Sequence, residues 1–136
     1  MKKEKVFSSF GIMPKEEMLE VKPNFKKLQI GIPKESSFQE NRVSLTPDSV
    51  GLLLANGHSV VIEKDAGIAS NFTNKEYTEK GAKLVYTKKE VFQADCILKI
   101  EPPTKEELKL MHSGQQLISA VQLATQSAAY FRTLNK

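Results

Sequence analysis

From residue 28 onward the apolar positions follow two rhythms. Short, nearly unbroken apolar runs alternate with stretches in which apolar residues recur at helical spacing. Leu28-Gln29-Ile30-Gly31-Ile32 predicts a first strand. The polar segment 33–45 then leads into a helix that Thr46 caps and Pro47 opens. Val50, Leu53 and Leu54 form its apolar face, and Asn56-Gly57 stops it. Ser59-Val60-Val61-Ile62-Glu63 predicts the second strand. Three Thr-x-x-Glu segments (Thr73 with Glu76, Thr87 with Glu90, Thr104 with Glu107) have the form of capping boxes, and each announces a short helix. Gly81 ends the first of these, and Leu108 and Met111 of the last face inward. Between and after the boxes lie strands at residues 83–86, 96–100 and 116–121, with Pro102-Pro103 closing the fourth. A final helix runs from Ser127 to Leu134.

Strands alternating with helices predict βαβ units and a parallel sheet covered on both faces. The expected fold is α/β, an open, doubly wound, mainly parallel sheet of Rossmann or flavodoxin type. Residues 1–27 carry no strand pattern. They read as an N-terminal extension in which Pro14-Lys15-Glu16-Glu17-Met18-Leu19 can start one short helix, or as a disordered tail. Residues 28–136 then form one domain, and its last helix reads as cut short, as in a fragment.

Composition narrows the function classes. Apolar residues make up 40% and charged residues 26% of 136 residues, which suits a water-soluble globular chain. No apolar run reaches the roughly 20 residues of a membrane helix. Met1-Lys2-Lys3 is not followed by the apolar stretch of an export signal. The single cysteine, Cys96, lies in an apolar run and reads as buried and inert, which fits a reducing, cytoplasmic setting. The net charge of +4 is spread among acidic residues with no basic stripe, so nucleic acid is not expected, while small anions are favoured by the sign of the field.

Ligands of such a sheet bind beyond the carboxyl ends of its strands. Three features fall there: the segment from Lys34 to Val43, which contains Arg42; Lys99 at the end of the fourth strand; and Gln122-Leu123-Ala124-Thr125 after the fifth. Lys99 either lays its stem along the sheet with its ammonium in water, or holds a cation in a low-dielectric rim for a carboxylate or carbonyl oxygen. Arg42 is either one half of a surface ion pair or a two-pronged clamp on a carboxylate. Spacing alone does not decide. His58 reads as an exposed turn residue, and His112 as a cation near a helix C-terminus. There is no metal cluster. Gly67 and Gly81 are isolated, so no glycine-rich phosphate loop follows a strand.

The run Ile30-Gly31-Ile32-Pro33-Lys34-Glu35, followed by Glu40-Asn41-Arg42-Val43-Ser44-Leu45-Thr46-Pro47, resembles the opening of alanine dehydrogenases and of the alpha subunit of proton-translocating nicotinamide nucleotide transhydrogenases. Asn56-Gly57-His58, Glu63 with Ala66-Gly67, Gly81-Ala82, and Ile97-Leu98-Lys99-Ile100 with Pro102 extend the likeness to about Ala124. The resemblance, closer to alanine dehydrogenase, implies a substrate-side first domain truncated before a second domain that binds NAD or NADP. It implies an intact enzyme that assembles into oligomers and binds a small 2-oxo or amino acid. It further implies that Arg42 binds the substrate carboxylate and that Lys99 binds substrate and polarises the reacting carbon. A histidine serves as general acid/base in alanine dehydrogenases at the position held here by Gln122. An amide donates a hydrogen bond but carries no proton near neutral pH.

Three functions follow as expectations. One is the N-terminal domain of an alanine dehydrogenase-like oxidoreductase, inactive as residues 1–136 alone. Another is the corresponding domain of a transhydrogenase alpha subunit, with no membrane insertion of its own. The last is a non-catalytic module that binds a small acid or serves assembly.

Overall fold

The computed structural model describes residues 26–122 and 124–135, so the helix expected at Pro14 lies outside the described residues. Five parallel strands form one sheet: β1 (Gln29–Ile32), β2 (Ser59–Glu63), β3 (Lys83–Val85), β4 (Cys96–Leu98) and β5 (Gln116–Ile118). Their spatial order is β3-β2-β1-β4-β5. The register pairs Ile30 with Val60 on one side of β1 and with Cys96 on the other. The chain thus winds outward from β1 in one direction, crosses back, and continues from β4 in the other, as expected of a doubly wound sheet.

Alternate side chains of the central strands point to opposite faces and define two cores. Ile30, Ile32, Val60 and Ile62 pack with Val50 of α1 (Pro47–Ala55) and Tyr77 of α2 (Asn74–Glu79). Val61 and Ile97 pack on the other face with Val91, Phe92 and Ala94, in and after α3 (Lys88–Val91). The two remaining helices are α4 (Lys105–Leu108) and α5 (Ala128–Leu134). Burying both faces explains why β1, β2 and β4 read as unbroken apolar runs, whereas the expected cover on both faces fails at the edge strand β5, where Ile118 is exposed.

The local signals act as expected. Thr46 accepts from Ser49 N–H, and Pro47 opens α1. All three capping boxes form at α2, α3 and α4. Gly81, at φ 102°, ends the α2 segment in a conformation that suits glycine. The strands are shorter than the apolar runs. Even so, hydrogen bonds Lys99 N–H to Ile118 O (3.0 Å) and Ala120 N–H to Ile100 O (3.1 Å) carry the β4–β5 pairing past their ends. A 3-10 turn, Ile68–Ser70, has no counterpart in the sequence expectations. It closes on Asn71, whose backbone is left-handed at φ 63°.

Gly31 lets α3 close on the sheet. A Cβ there would sit 2.6 Å from the carbonyl oxygen of Val91 and 2.9 Å from Ile97 Cδ1. The obstructing atom is backbone, so a side chain must push the helix away. Gly31→Ala is expected to cost about 1–3 kcal/mol, the usual range for overpacking. Urea unfolding reads this, and an unchanged midpoint would show that α3 yields freely.

Candidate functional site

The winding reverses between β1 and β4, the place where open parallel sheets form a crevice outside the carboxyl ends of their strands. One wall is the segment 33–46 after β1, and the other is residues 99–104 after β4. The first wall is stapled at both ends. Near its start, Lys34 N–H donates to Glu63 Oε2 (2.8 Å), and Glu35 Oε1 accepts from Ile100 N–H (2.7 Å). Near its end, Ser44 Oγ donates to Leu98 O (3.2 Å), Ser70 Oγ to Asn41 O (2.6 Å), and the Tyr77 hydroxyl to Leu45 O (2.7 Å). Between the staples, Phe38 is fully exposed.

Lys99 does not reach water. Its side chain is 1% exposed, and its ammonium lies 3.0 Å from Glu35 Oε2 and 3.3 Å from both carboxylate oxygens of Glu107. The approach to Glu35 Oε2 is an ionic contact without hydrogen-bond geometry, so that buried oxygen accepts no hydrogen bond. Glu107 divides its work. Oε2 accepts from Thr104 N–H in the capping box (2.9 Å), while Oε1 accepts from the ammonium of Lys88 and from Ser36 Oγ (3.2 Å). Lys99, Glu35 and Glu107 are buried and Lys88 is half-buried, so two lysines and two glutamates from four segments close one cluster. Burial pushes the Glu107 carboxyl up, but the hydrogen bonds from Lys88 and Thr104 and the charges of both lysines outweigh it. Its net pKa lies below the ordinary value. Glu63 goes the other way: desolvation raises it against the hydrogen bond from Lys34 N–H.

Arg42 is exposed, and its guanidinium grips Glu40 through Nε (2.8 Å) and Nη2 (2.6 Å). These hydrogen bonds, with that from Arg42 N–H, hold the Glu40 carboxyl down at about 2. The fork of Arg42 is thus filled by a carboxylate of its own loop. The charges of Glu101 and Glu35 also reach Arg42. Gln122 is exposed, with a left-handed backbone at φ 51°, and its carbonyl accepts from both Thr125 N–H and Thr125 Oγ1 (2.9 Å each). It borders a cleft of about 400 Å³ together with Glu101, Pro103, Lys105 and Tyr130. The structure brings Gln122 and Glu101 to one cleft, whereas Lys99 lies in the buried cluster and Arg42 on Glu40.

The partners of Lys99 were not read from the sequence as site residues. Glu35 sits in the β1 loop, and Glu107 looks like a third capping-box glutamate. The one available signal was a lysine in an apolar run eight residues before a glutamate on a helix that also buries Leu108. His58 differs from expectation. It is half-buried, and its Nδ1 accepts from Leu28 N–H (3.3 Å), which ties the end of the α1 turn to β1. His112 is exposed. Cys96 is buried, which raises its thiol pKa, in line with an inert residue. No metal-binding group of His, Cys, Asp and Glu occurs among the described residues, and no helix there is long and apolar enough to cross a membrane.

Comparison with known proteins follows the same outline. Residues 31–136 match the family model described as alanine dehydrogenase/PNT, N-terminal domain, and the chain belongs to this family. It is 42% identical over 97 residues to an alanine dehydrogenase of Staphylococcus saprophyticus, covering 71% of this chain and 26% of that protein. It is 45% identical over 96 residues to one of Methanococcus maripaludis, covering 70% and 26%. Among solved structures, an L-alanine dehydrogenase superposes with TM-score 0.74 at 36% identity, covering 78% of this chain and 29% of that one. A transhydrogenase from Sinorhizobium meliloti does so with TM-score 0.64 at 34% identity, covering 67% and 27%. The chain spans about a quarter of the length of the curated relatives it matches.

The buried cluster makes a sharp stability prediction. Glu107→Ala leaves two ammonium groups facing a void and is expected to cost about 3–5 kcal/mol, the usual result of breaking a buried pair. Because the folded pKa of Glu107 is depressed, its contribution is complete above the ordinary carboxylate value. It is lost as pH falls through the folded one. Thermal melts from pH 7 down to pH 2 should therefore converge for wild type and Glu107→Gln. A constant gap at all pH values would contradict this.

Proposed function

We propose that residues 28–136 are the substrate-side domain of an alanine dehydrogenase-like, NAD(P)-dependent oxidoreductase that interconverts alanine and pyruvate. The observation that carries this reading is the exposed Arg42 guanidinium, held by a stapled loop at the mouth of the β1–β4 crevice. Its planar fork suits a carboxylate, as its grip on Glu40 illustrates. A substrate carboxylate takes the place of Glu40.

Lys99 supplies positive potential beneath the rim and meets substrate directly only on leaving Glu35 or Glu107. Gln122 donates a hydrogen bond to a substrate oxygen and moves no proton. NAD or NADP belongs to a second domain outside these residues, in an oligomeric, cytoplasmic enzyme. The nicotinamide supplies the hydride chemistry. The part played by this chain is to bind and orient the acid.

A longer polypeptide that carries this domain and a nucleotide-binding domain should reduce NAD in the presence of L-alanine. Residues 1–136 alone should not. Arg42→Ala should lower kcat/KM by about 10- to 100-fold, the worth of a charged hydrogen-bonded contact. Absence of alanine-dependent NADH formation by the longer protein would overturn the reading.

The amide at position 122 and the likeness to the Sinorhizobium transhydrogenase support a second reading, a transhydrogenase alpha-subunit domain. Hydride transfer between two nicotinamides needs no proton carrier. On that reading the longer protein, with its membrane partner, reduces NADP from NADH without alanine.

A further inference from the structure

The two cations that the sequence pointed to are both answered by carboxylates of one segment, residues 33–46. Glu35 Oε2 lies 3.0 Å from the Lys99 ammonium, and Glu40 fills the fork of Arg42. The two pairs differ in setting. Lys99 and Glu35 are both buried, whereas the Arg42 side chain is 74% exposed and that of Glu40 only 8%. The guanidinium therefore stands where a dissolved anion can meet it, and the carboxylate that holds it is tucked into the loop.

Glu40 copies what a bound acid would do. Arg42 Nε donates to Oε1 (2.8 Å) and Nη2 to Oε2 (2.6 Å), the parallel two-bond pattern by which a guanidinium holds a free carboxylate. That edge of the guanidinium cannot serve two carboxylates at once. The copy is also preassembled. Arg42 N–H donates to Glu40 Oε1 (2.9 Å), Glu40 N–H to Ser37 O (3.3 Å) and Ser70 Oγ to Asn41 O (2.6 Å), so the turn that presents the carboxylate is closed before a ligand arrives. A carboxylate on the same short turn acts at an effective concentration on the order of millimolar or above. Its carboxyl, held down at about 2, stays ionised through the neutral and mildly acidic range.

We infer that Glu40 is an internal competitor, which occupies the carboxylate-binding edge of Arg42 in the free domain and sets the affinity for acids by having to be displaced. This rests on the assignment of Arg42 under the proposed function. Only the fraction of molecules with an open fork is competent to bind, and the apparent affinity falls by that fraction for every carboxylate alike. A Glu40 that merely aimed the guanidinium would act with the opposite sign, since its removal would weaken binding. An incidental surface pair would leave binding as it is.

Titration of the 136-residue chain with pyruvate and, separately, with acetate tests the inference, followed by NMR at the Arg42 Nε–H and at the backbone amides. Glu40→Gln keeps an oxygen for Arg42 N–H and removes the charge. It should tighten both acids by about fivefold, the upper worth of an exposed ion pair, and leave the pyruvate-to-acetate ratio as in wild type. Glu40→Ala reads the same gain should the amide of Gln fill the fork in its turn. Arg42→Ala should abolish binding of both acids. Unchanged or weakened binding in both folded Glu40 variants, with binding still lost in Arg42→Ala, overturns the competition and leaves Arg42 in place. Tightening of one acid alone also contradicts displacement. Pyruvate binding that survives Arg42→Ala overturns the reading beneath it, and absence of binding by wild type and both Glu40 variants overturns both.

Discussion

The ammonium of Lys99, enclosed by the carboxylates of Glu35 and Glu107, is the contact on which the geometry of the rim depends. Lys99, Glu35 and Glu107 are withdrawn from water and Lys88 partly so, and such charges cost more to leave unmatched than they return when matched. The cluster is therefore better understood as a constraint than as a source of stability. It permits one arrangement of the β1 loop, the start of α3, the end of β4 and α4, because any other strands a charge. Glu107 completes the constraint by capping its own helix with one oxygen and accepting from Lys88 with the other.

That constraint meets the topology at one place. The sheet reverses its winding between β1 and β4, and the cluster lies where the chain leaves those strands. The ionic contacts fix the near end of the Arg42 loop, while Ser44, Ser70 and Tyr77 fix the far end. A guanidinium on a free loop would have to be ordered on binding. Here that entropy is lost when the domain folds, and on the proposed reading a ligand need displace only Glu40.

The fold was legible because its signals are local. Threonine and glutamate three residues apart, Pro47 after Thr46, and apolar runs of strand length each act within one turn of chain, and each is found where the spacing put it. The site was less legible because burial is a tertiary property. Three glutamates, Glu76, Glu90 and Glu107, occupy the same place in the same motif. Two lie at the surface and one is the anion of the core cluster. Lys99 announced itself as a lysine in an apolar run, but nothing near it in sequence specified that its answering charges come from a loop 64 residues earlier and a helix eight residues later. Glu101 and Lys105 are ordinary surface residues by sequence, and only the path of the chain after β4 places them on one cleft.

The backbone at Gln122 bears on how the chemistry of this position can change. Its left-handed conformation at φ 51° is one that few side chains favour, and histidine, with asparagine and aspartate, is among those enriched there. The Thr125 hydrogen bonds that hold the turn go to the main-chain carbonyl, not to the amide side chain. The turn is therefore indifferent to which of these side chains it carries. A single-codon passage between glutamine and histidine would exchange a group that only donates and accepts hydrogen bonds for one that carries a proton, with the scaffold beneath it left as it is.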